Sequence, residues 1–483
     1  MKADSRPKPE FFKFPYVKND VFFRYPWMRN YVIRVSPGLL ILFYFLLNPL
    51  SSHAVEKNDI SNVINPKLQF FAPTPRSSGT EFKLLHSLST KIFVGNEENS
   101  FIEGRSGLSL KKGLNFFFFE DGYVSFENKA FLYFQVKQRK QKGRLRNTLQ
   151  RLYSKLHFGK FSLLLGKDNF NMGHGAYGLL VSNNAEPYPV VLLRTEKPLN
   201  LFGDWTILFF NGWLTEERED VSNPQILGGR VSWKPWSFIE FGFSKTEFYG
   251  GDGRPGYTLP EYYKLLTGSE DNVKGKFDND GNASWDVAIS LPVNRWSSEF
   301  TLLKMFYQRA GTDIMAAWQK EDKESFKFPF EFRLLHVSNQ GGILLSGKRD
   351  LFRIEYARTA HVSFTHHFYN IEGQTFNGLS IGYPYGRDIQ SLFFRHRHYF
   401  LETATVEYTL GALEKPTSRS YKMRRYYITL EGAKRFGDLT LGWYLRGEQT
   451  ENYNRNPVPS QVAVLEDTNR FLFTTGFSVS WTL

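Results

Sequence analysis

The 483-residue sequence contains no cysteine. Disulfides and thiolate metal centres are therefore excluded, and a chain without thiols suits passage through an oxidising compartment before folding. Several apolar runs of about 20 residues, which a helical membrane protein needs, are also missing. Mean hydropathy is only −0.39. Catalytic signatures are equally scarce. HExxH and CxxC spacings are absent, and neither a GxSxG nucleophile elbow nor its strand-to-helix setting is expected. Gly250-Gly251 and Gly341-Gly342 lack the Lys-Ser/Thr and helix of a phosphate loop. No enzyme is expected.

What is abundant is aromatic side chain, at 17% of the residues, with 47 Phe, 25 Tyr and 10 Trp. A transmembrane barrel reconciles this load with polar average hydropathy, because each strand is apolar toward lipid and polar toward the lumen. The period from about Glu81 onward is two. In the stretch from Trp285 to Leu291, Trp285, Val287, Ile289 and Leu291 oppose Asp286, Ala288 and Ser290. In 439–446, Leu439, Leu441, Trp443 and Leu445 oppose Thr440, Gly442, Tyr444 and Arg446. The chain ends on the same pattern: Phe471, Phe473, Phe477, Val479, Trp481 and Leu483 share the lipid face. Such runs are longer than the five or six residues usual in soluble sandwiches. They predict an all-β, antiparallel transmembrane barrel of about 18 strands with short helical insertions.

Turn signals at Lys160, Arg358-Thr359 and Phe436-Gly437-Asp438 mark hairpins. Long insertions fall near 250–282, 310–325, 370–390 and 447–468, and the first holds a short helix at Leu259–Leu266. A C-terminal strand running inward makes the long loops extracellular and the short turns periplasmic.

The N-terminus carries an export signal. Arg29 and Arg34 precede ten apolar residues, Gly38 to Leu47, and Ser52 and Ala54 form a small-residue cleavage site before Val55. Residues 28–54 are thus a signal peptide, and 1–27, which fit no signal template, are expected to be a misassigned extension. Residues 55–80 form a loose segment and 81–483 the barrel, placed in the outer membrane. The chain is expected to be a monomer among membrane lipid and lipopolysaccharide.

Formal net charge is +13, of which +8 falls after residue 54. This surplus suits acidic partners such as lipopolysaccharide or an acidic polysaccharide; no nucleic-acid stripe is present. The densest basic run, Lys137 to Arg146, reads as a solvated turn between two strands. His366-His367 alternates on a strand, so the two rings face opposite sides and cannot share a metal. The alternation in Phe394-Arg395-His396-Arg397-His398 sends either both Arg or both His into the lumen. Asp278, Asp280 and Asn282 resemble a calcium loop without its closing Glu and read as a turn. No metal or cofactor is expected.

Three segments resemble the Wzi capsule-assembly family of outer-membrane proteins. In Leu163–Arg194 the matching residues are Gly166, Asp168, Gly173, Ser182, Asn183, Asn184, Ala185 and Pro187. Gly382, Pro384, Gly386 and Asp388 match in a second segment, and Glu355, Tyr356 and Thr359 in a third. Where the family carries Trp in the glycine-rich stretch, this chain has Asn171-Met172. The resemblance implies an 18-stranded barrel that holds capsular or exopolysaccharide at the cell surface, as a lectin does. Tyr383, Tyr385, Arg387, Tyr453 and Arg455, in two loops expected outside, are the candidate glycan contacts. A porin or polysaccharide-export channel is the alternative, with Arg353, Glu355, Arg395 and Arg446 lining it.

Overall fold

The computed structural model describes residues 79–97, 106–127, 129–141, 143–267, 276–315, 333–369, 371–400, 403–416, 422–451 and 469–483. The expected extension and signal peptide, residues 55–78, and Tyr453 and Arg455 lie outside them.

Strands follow in chain order. The first ten are β1 (Glu81–Gly95), β2 (Gly113–Phe126), β3 (Ala130–Gln141), β4 (Arg144–Phe158), β5 (Phe161–Asp168), β6 (Tyr188–Thr195), β7 (Leu199–Asn200), β8 (Asp204–Trp213), β9 (Gln225–Trp236) and β10 (Ile239–Tyr249). Helix α1 (Leu259–Thr267) precedes β11 (Asp280–Pro292), β12 (Phe300–Met315), β13 (Arg333–Gly347) and β14 (Asp350–Thr359). The remainder are β15 (Thr375–Phe376), β16 (Leu379–Ser380), β17 (Ile389–Phe400), β18 (Ala404–Pro416), β19 (Lys422–Phe436), β20 (Leu439–Glu451) and β21 (Arg470–Thr482).

Each wall strand pairs antiparallel with its neighbours, and β1 pairs with β21 from Ser87↔Thr482 to Gly95↔Thr474, so the sheet closes on itself. Of its 19 strands, β7 is a two-residue bridge on β8, which leaves 18 in the wall. Closure satisfies every ladder from within, the condition for a sheet to cross hydrocarbon.

The alternation read from the sequence holds. Trp285, Leu410, Leu439, Phe471, Phe473, Phe477 and Trp481 are exposed on the outer face, while Asp286, Thr409, Arg446 and Thr474 are buried inside. Aromatic pairs gather beside the short turns: Phe158 stacks on Phe161, Trp236 on Phe238 and Trp205 on Trp233. Such a belt belongs at the membrane–water interface.

Turns at Gly159-Lys160 and Gly437-Asp438 are short, as expected. Arg358 and Thr359 are not a hairpin turn. They end β14, and the chain then makes a long excursion, 360–388, before β17. The two ends of this excursion are tied together, since the Asp388 N–H donates to Ala360 O at 3.1 Å. A long loop therefore closes on a neck as narrow as a hairpin's.

Helix α1 forms where expected. Thr258 caps it: its N–H and Oγ1–H both donate to Glu261 Oε2, at 2.7 and 2.8 Å, as in a capping box. Lys276 Nζ donates to the same carboxylate at 2.7 and 2.8 Å, tying the helix to the segment that leads into β11. The Lys276 bond, and then the Thr258 N–H, hold the Glu261 carboxyl down from 4.5 to about 2. A depressed carboxylate stabilises its loop above its unfolded pKa, and that contribution disappears as pH falls toward the folded value. Protection factors of the amides in 250–267, which divide out the intrinsic exchange rate at each pH, should therefore stay constant from pH 7 to 5 and fall between about 4.5 and 2. Glu261→Gln should exchange fast already at pH 7, without that step; a variant as protected as the native chain contradicts this role.

Candidate functional site

The wall alone would leave a wide lumen. The loop from Asn169 to Pro187, between β5 and β6, fills it. Its apolar residues Phe170, Met172, Tyr177, Leu179, Leu180 and Val181 are buried in one cluster with Tyr188, Phe210 and Phe393 from the wall and Ile381, Tyr383 and Tyr385 from the 360–388 loop. Glycine allows the close approach: a Cβ on Gly175 would overlap the Gln340 amide, and one on Gly178 would overlap the carbonyl of Val181.

Polar wall groups hold this plug. Glu355 accepts the Ala176 N–H at 2.8 Å and the Gln340 amide at 2.7 Å, and pairs with Arg353 at 3.1 Å. Gln340 also donates to Tyr177 O at 2.8 Å. His174 Nε2 stands 3.0 Å from Asp286, which Arg230 grips through Nη2 at 2.8 Å. Arg395 donates to the Tyr177 hydroxyl at 3.1 Å. The plug meets the second loop where Ser182 Oγ donates to Gly382 O and Asn184 Nδ2 to Ser380 O at 3.2 Å. Thr359 Oγ1 donates to Gly386 O at 2.8 Å. The three segments that carry the family resemblance thus converge in space.

Arg353, Glu355, Arg395 and Arg446 do face inward, but as ion pairs and plug contacts. Arg395 and Arg397 share Glu407 at 3.4 and 2.7 Å, and Arg446 pairs with Glu448 at 3.0 Å. In β17 the arginines take the lumen, and His396 and His398 lie on the opposite face. One GxSxG spacing is present against expectation, Gly378-Leu379-Ser380-Ile381-Gly382, but Ser380 sits buried in the β15–β16 hairpin, without the strand-to-helix turn of a nucleophile elbow.

Of the candidate contacts, Tyr383 and Tyr385 are corrected. Tyr383 is 0% exposed, bonded to Ser391 Oγ at 2.7 Å, and Tyr385 is buried with its hydroxyl 3.3 Å from that of Tyr427. Neither ring has a face open to a sugar; their apolar bodies complete the plug cluster. Arg387 stays half-buried and donates to Thr365 Oγ1 at 3.1 Å. The His366-His367 pair is not on a strand either. It lies in the 360–388 loop with ring centroids 3.9 Å apart.

Two cavities flank the plug. The one toward the periplasmic turns, about 810 Å³, is lined by Arg194, Arg230, Lys304, Arg353, Arg395 and Arg397 among others. Carboxylates answer most of this charge: Glu196 meets Arg194 at 2.8 Å, and Asp286, Glu355 and Glu407 take four more. The other cavity, about 850 Å³, opens at the end of the long loops between Lys111, Arg139, Gln141, Arg144, Arg146, Glu186 and Asn377. Glu186 is its acid, and Lys137 at 3.1 Å and the Asn377 amide at 2.9 Å already occupy it. Among the described residues, Arg139, Arg144 and Arg146 form no ion pair. Arg139 and Arg146 are direct cross-strand partners, an arrangement that destabilises a hairpin. The basic run from Lys137 to Arg146 is therefore not a solvated turn but one side of a cavity. Its period-two placement of Lys137, Arg139 and Gln141 on the lumen face was the available signal.

The pattern of the family "Capsule assembly protein Wzi" matches residues 94–469. This chain belongs to that family. Among solved structures, it is similar to the Wzi outer-membrane protein of Escherichia coli, described as a carbohydrate-binding β-barrel involved in group 1 capsule assembly. Identity is 15%, coverage 83% of this chain and 86% of that one, and the TM-score 0.59. It is also similar to OpdL of Pseudomonas aeruginosa, at 10% identity, 84% and 98% coverage and a TM-score of 0.50. Among curated proteins none matches. The Wzi-family chain is thus an outer-membrane barrel of the expected class.

If Glu355 anchors the plug, Glu355→Ala leaves Arg353, the Ala176 N–H and one N–H of the Gln340 amide unanswered in the interior. Breaking a buried pair in this way costs about 3–5 kcal/mol. The unfolding midpoint of the detergent-solubilised barrel should drop accordingly, and the variant should pass more ion current across planar bilayers than the native protein. A midpoint equal to the native one refutes the anchor.

Proposed function

We propose that this Wzi-family barrel binds acidic capsular polysaccharide at its extracellular mouth and holds it on the cell surface. The arginine cavity carries the reading. Guanidinium groups bind carboxylates bidentately, and here three that form no ion pair among the described residues stand in one cavity large enough for a short stretch of sugar chain. The like-charge contact between Arg139 and Arg146 makes sense as a site completed by a polyanion. The carbohydrate binding described for the Escherichia coli Wzi agrees with this assignment, as does the family's role in capsule assembly.

Lys111 and Gln141 complete the polar lining, with Gln141 Nε2 fixed by Ser109 O and Asn115 Oδ1, both at 2.9 Å. Arg387, Tyr453 and Arg455 are proposed as further contacts along the same chain of sugars. The porin alternative loses its main support, since the lumen holds a plug bonded to the wall.

Acidic capsular polysaccharide should bind the purified barrel tightly at low salt and weakly at high salt, because screening weakens exposed charge pairs. Each charged hydrogen bond contributes about 1.5–3 kcal/mol, so Arg139→Gln, Arg144→Gln and Arg146→Gln should each weaken binding about tenfold or more. A neutral dextran should bind neither form. Equal affinity for neutral and acidic glycans, or an unaffected triple variant, would show the cavity is not the site.

A further inference from the structure

Two histidine–aspartate clusters lie away from the arginine cavity. The first joins His396 and His398 of β17 to Asp350 of β14, on the outer face near the periplasmic end. His396 Nε2 and His398 Nδ1 are both 2.7 Å from one oxygen, Asp350 Oδ1. That is hydrogen-bond spacing. Ligands about 2.0–2.2 Å from a tetrahedral zinc are about 3.4 Å from each other.

The second cluster is wider, its pairs at the long end of hydrogen-bond spacing and near the separation of two zinc ligands. Asp278 comes from the loop before β11, and His366 and His367 from the 360–388 loop, so the group bridges two separate extracellular excursions. His366 Nε2 is 3.2 Å from Asp278 Oδ1, and His367 Nε2 is 3.1 Å from Asp278 Oδ2. The three ligand atoms lie within 4.8 Å of one another. Each imidazole addresses a different carboxylate oxygen, so an ion can enter between the rings with shifts of a few tenths of an ångström.

The surrounding contacts hold the ligands in place before any ion arrives. Arg254 Nη2 donates to the Asp278 carbonyl at 2.6 Å, and its guanidinium lies 3.8 Å above the Phe368 ring, next to the two histidines. Asp280, two residues after Asp278, accepts the Gln374 amide at 2.9 Å and joins the same two loops again. His366 and Asp278 side chains are mostly buried, whereas His367 is 58% exposed, which leaves a coordination position open to solvent.

We propose that Asp278, His366 and His367 form a Zn2+ site that clamps the 250–279 and 360–388 loops together over the plug. Two imidazoles and one carboxylate suit a borderline divalent cation. They do not suit Ca2+, which takes six to eight oxygens. Zinc bound at Nε2 places the His366 proton on Nδ1, so that nitrogen no longer accepts the Phe368 N–H. At 3.4 Å this is the longest bond in the cluster, and the weakest to give up. The site is independent of glycan binding at the arginine cavity.

The test uses the full-length barrel in detergent, stripped with chelator and titrated with Zn2+ against a chromophoric competitor. One ion should bind, with Kd on the order of micromolar or tighter, and Ca2+ should not compete. Asp278→Asn and His367→Ala should each weaken zinc binding at least about tenfold, and His398→Ala should leave it unchanged. The exposed position of His367 makes its variant safe for folding. Zinc should also slow hydrogen exchange in 250–267 and 360–369 of the native chain but not of His367→Ala. Absence of zinc binding, or His367→Ala binding with native affinity, overturns the proposal.

Discussion

Everything in this structure depends on backbone hydrogen bonds that water cannot satisfy. A sheet in hydrocarbon has to pair its first strand with its last, and β1 does so with β21 from Ser87 to Gly95. Closing 18 strands fixes the girth, and the girth creates the next problem. A barrel of this size is too wide for its own inward side chains to fill. The β5–β6 loop solves it by entering the lumen with an apolar cluster around a glycine-rich backbone. Its buried polar groups then need partners, and the wall supplies Glu355 for the Ala176 N–H, Gln340 for the Tyr177 carbonyl and Asp286 for the His174 imidazole.

The plug also divides the charge of the lumen. On its periplasmic side, cations and carboxylates alternate along neighbouring strands, and the pairs neutralise one another at low dielectric, where unpaired charge is most costly. At the extracellular mouth the turn joining β3 to β4 is short. It places Arg139 against Arg146 with water close by, where an unpaired guanidinium is tolerable. Burial therefore sets where surplus charge survives. The mouth can keep it for a ligand, and the interior cannot.

How much of this is legible in the sequence follows from the range of the interactions. Strand positions, the helix capped by Thr258 and the lipid-facing set of β21 depend on neighbours one to four residues apart, so the sequence displays them directly. The plug depends on partners far apart in the chain, such as Ala176 with Glu355 or Ser182 with Gly382. Tyr383 and Tyr385 look like surface rings because they sit in an outer loop, but that loop folds back and buries them. The apolar neighbours of His366 and His367 suggest a strand. The loop conformation instead turns both rings to Asp278, which nothing local can indicate. The basic run from Lys137 has the density of a turn, although its alternation already assigns every second cation to the lumen.

The residues that carry the family resemblance lie mainly at the plug. Ser182, Asn184, Glu355, Thr359 and Gly382 bond loop to wall or loop to loop, Gly173 lets the plug pass close to the Gln308 side chain, and Asp168 is held by Arg151 at 2.8 Å. These contacts answer a requirement of the architecture that is the same whatever sugar lies outside. Recognition has a different requirement, namely groups that remain unpaired until the ligand comes. Such groups cannot sit in the plug, where each orphaned donor or charge would cost stability. They belong at the rim, on a hairpin whose closure does not depend on them. The resemblance accordingly specifies a plugged barrel, while the rim residues proposed to meet the glycan, Arg139, Arg144 and Arg146, lie outside the three resembling segments.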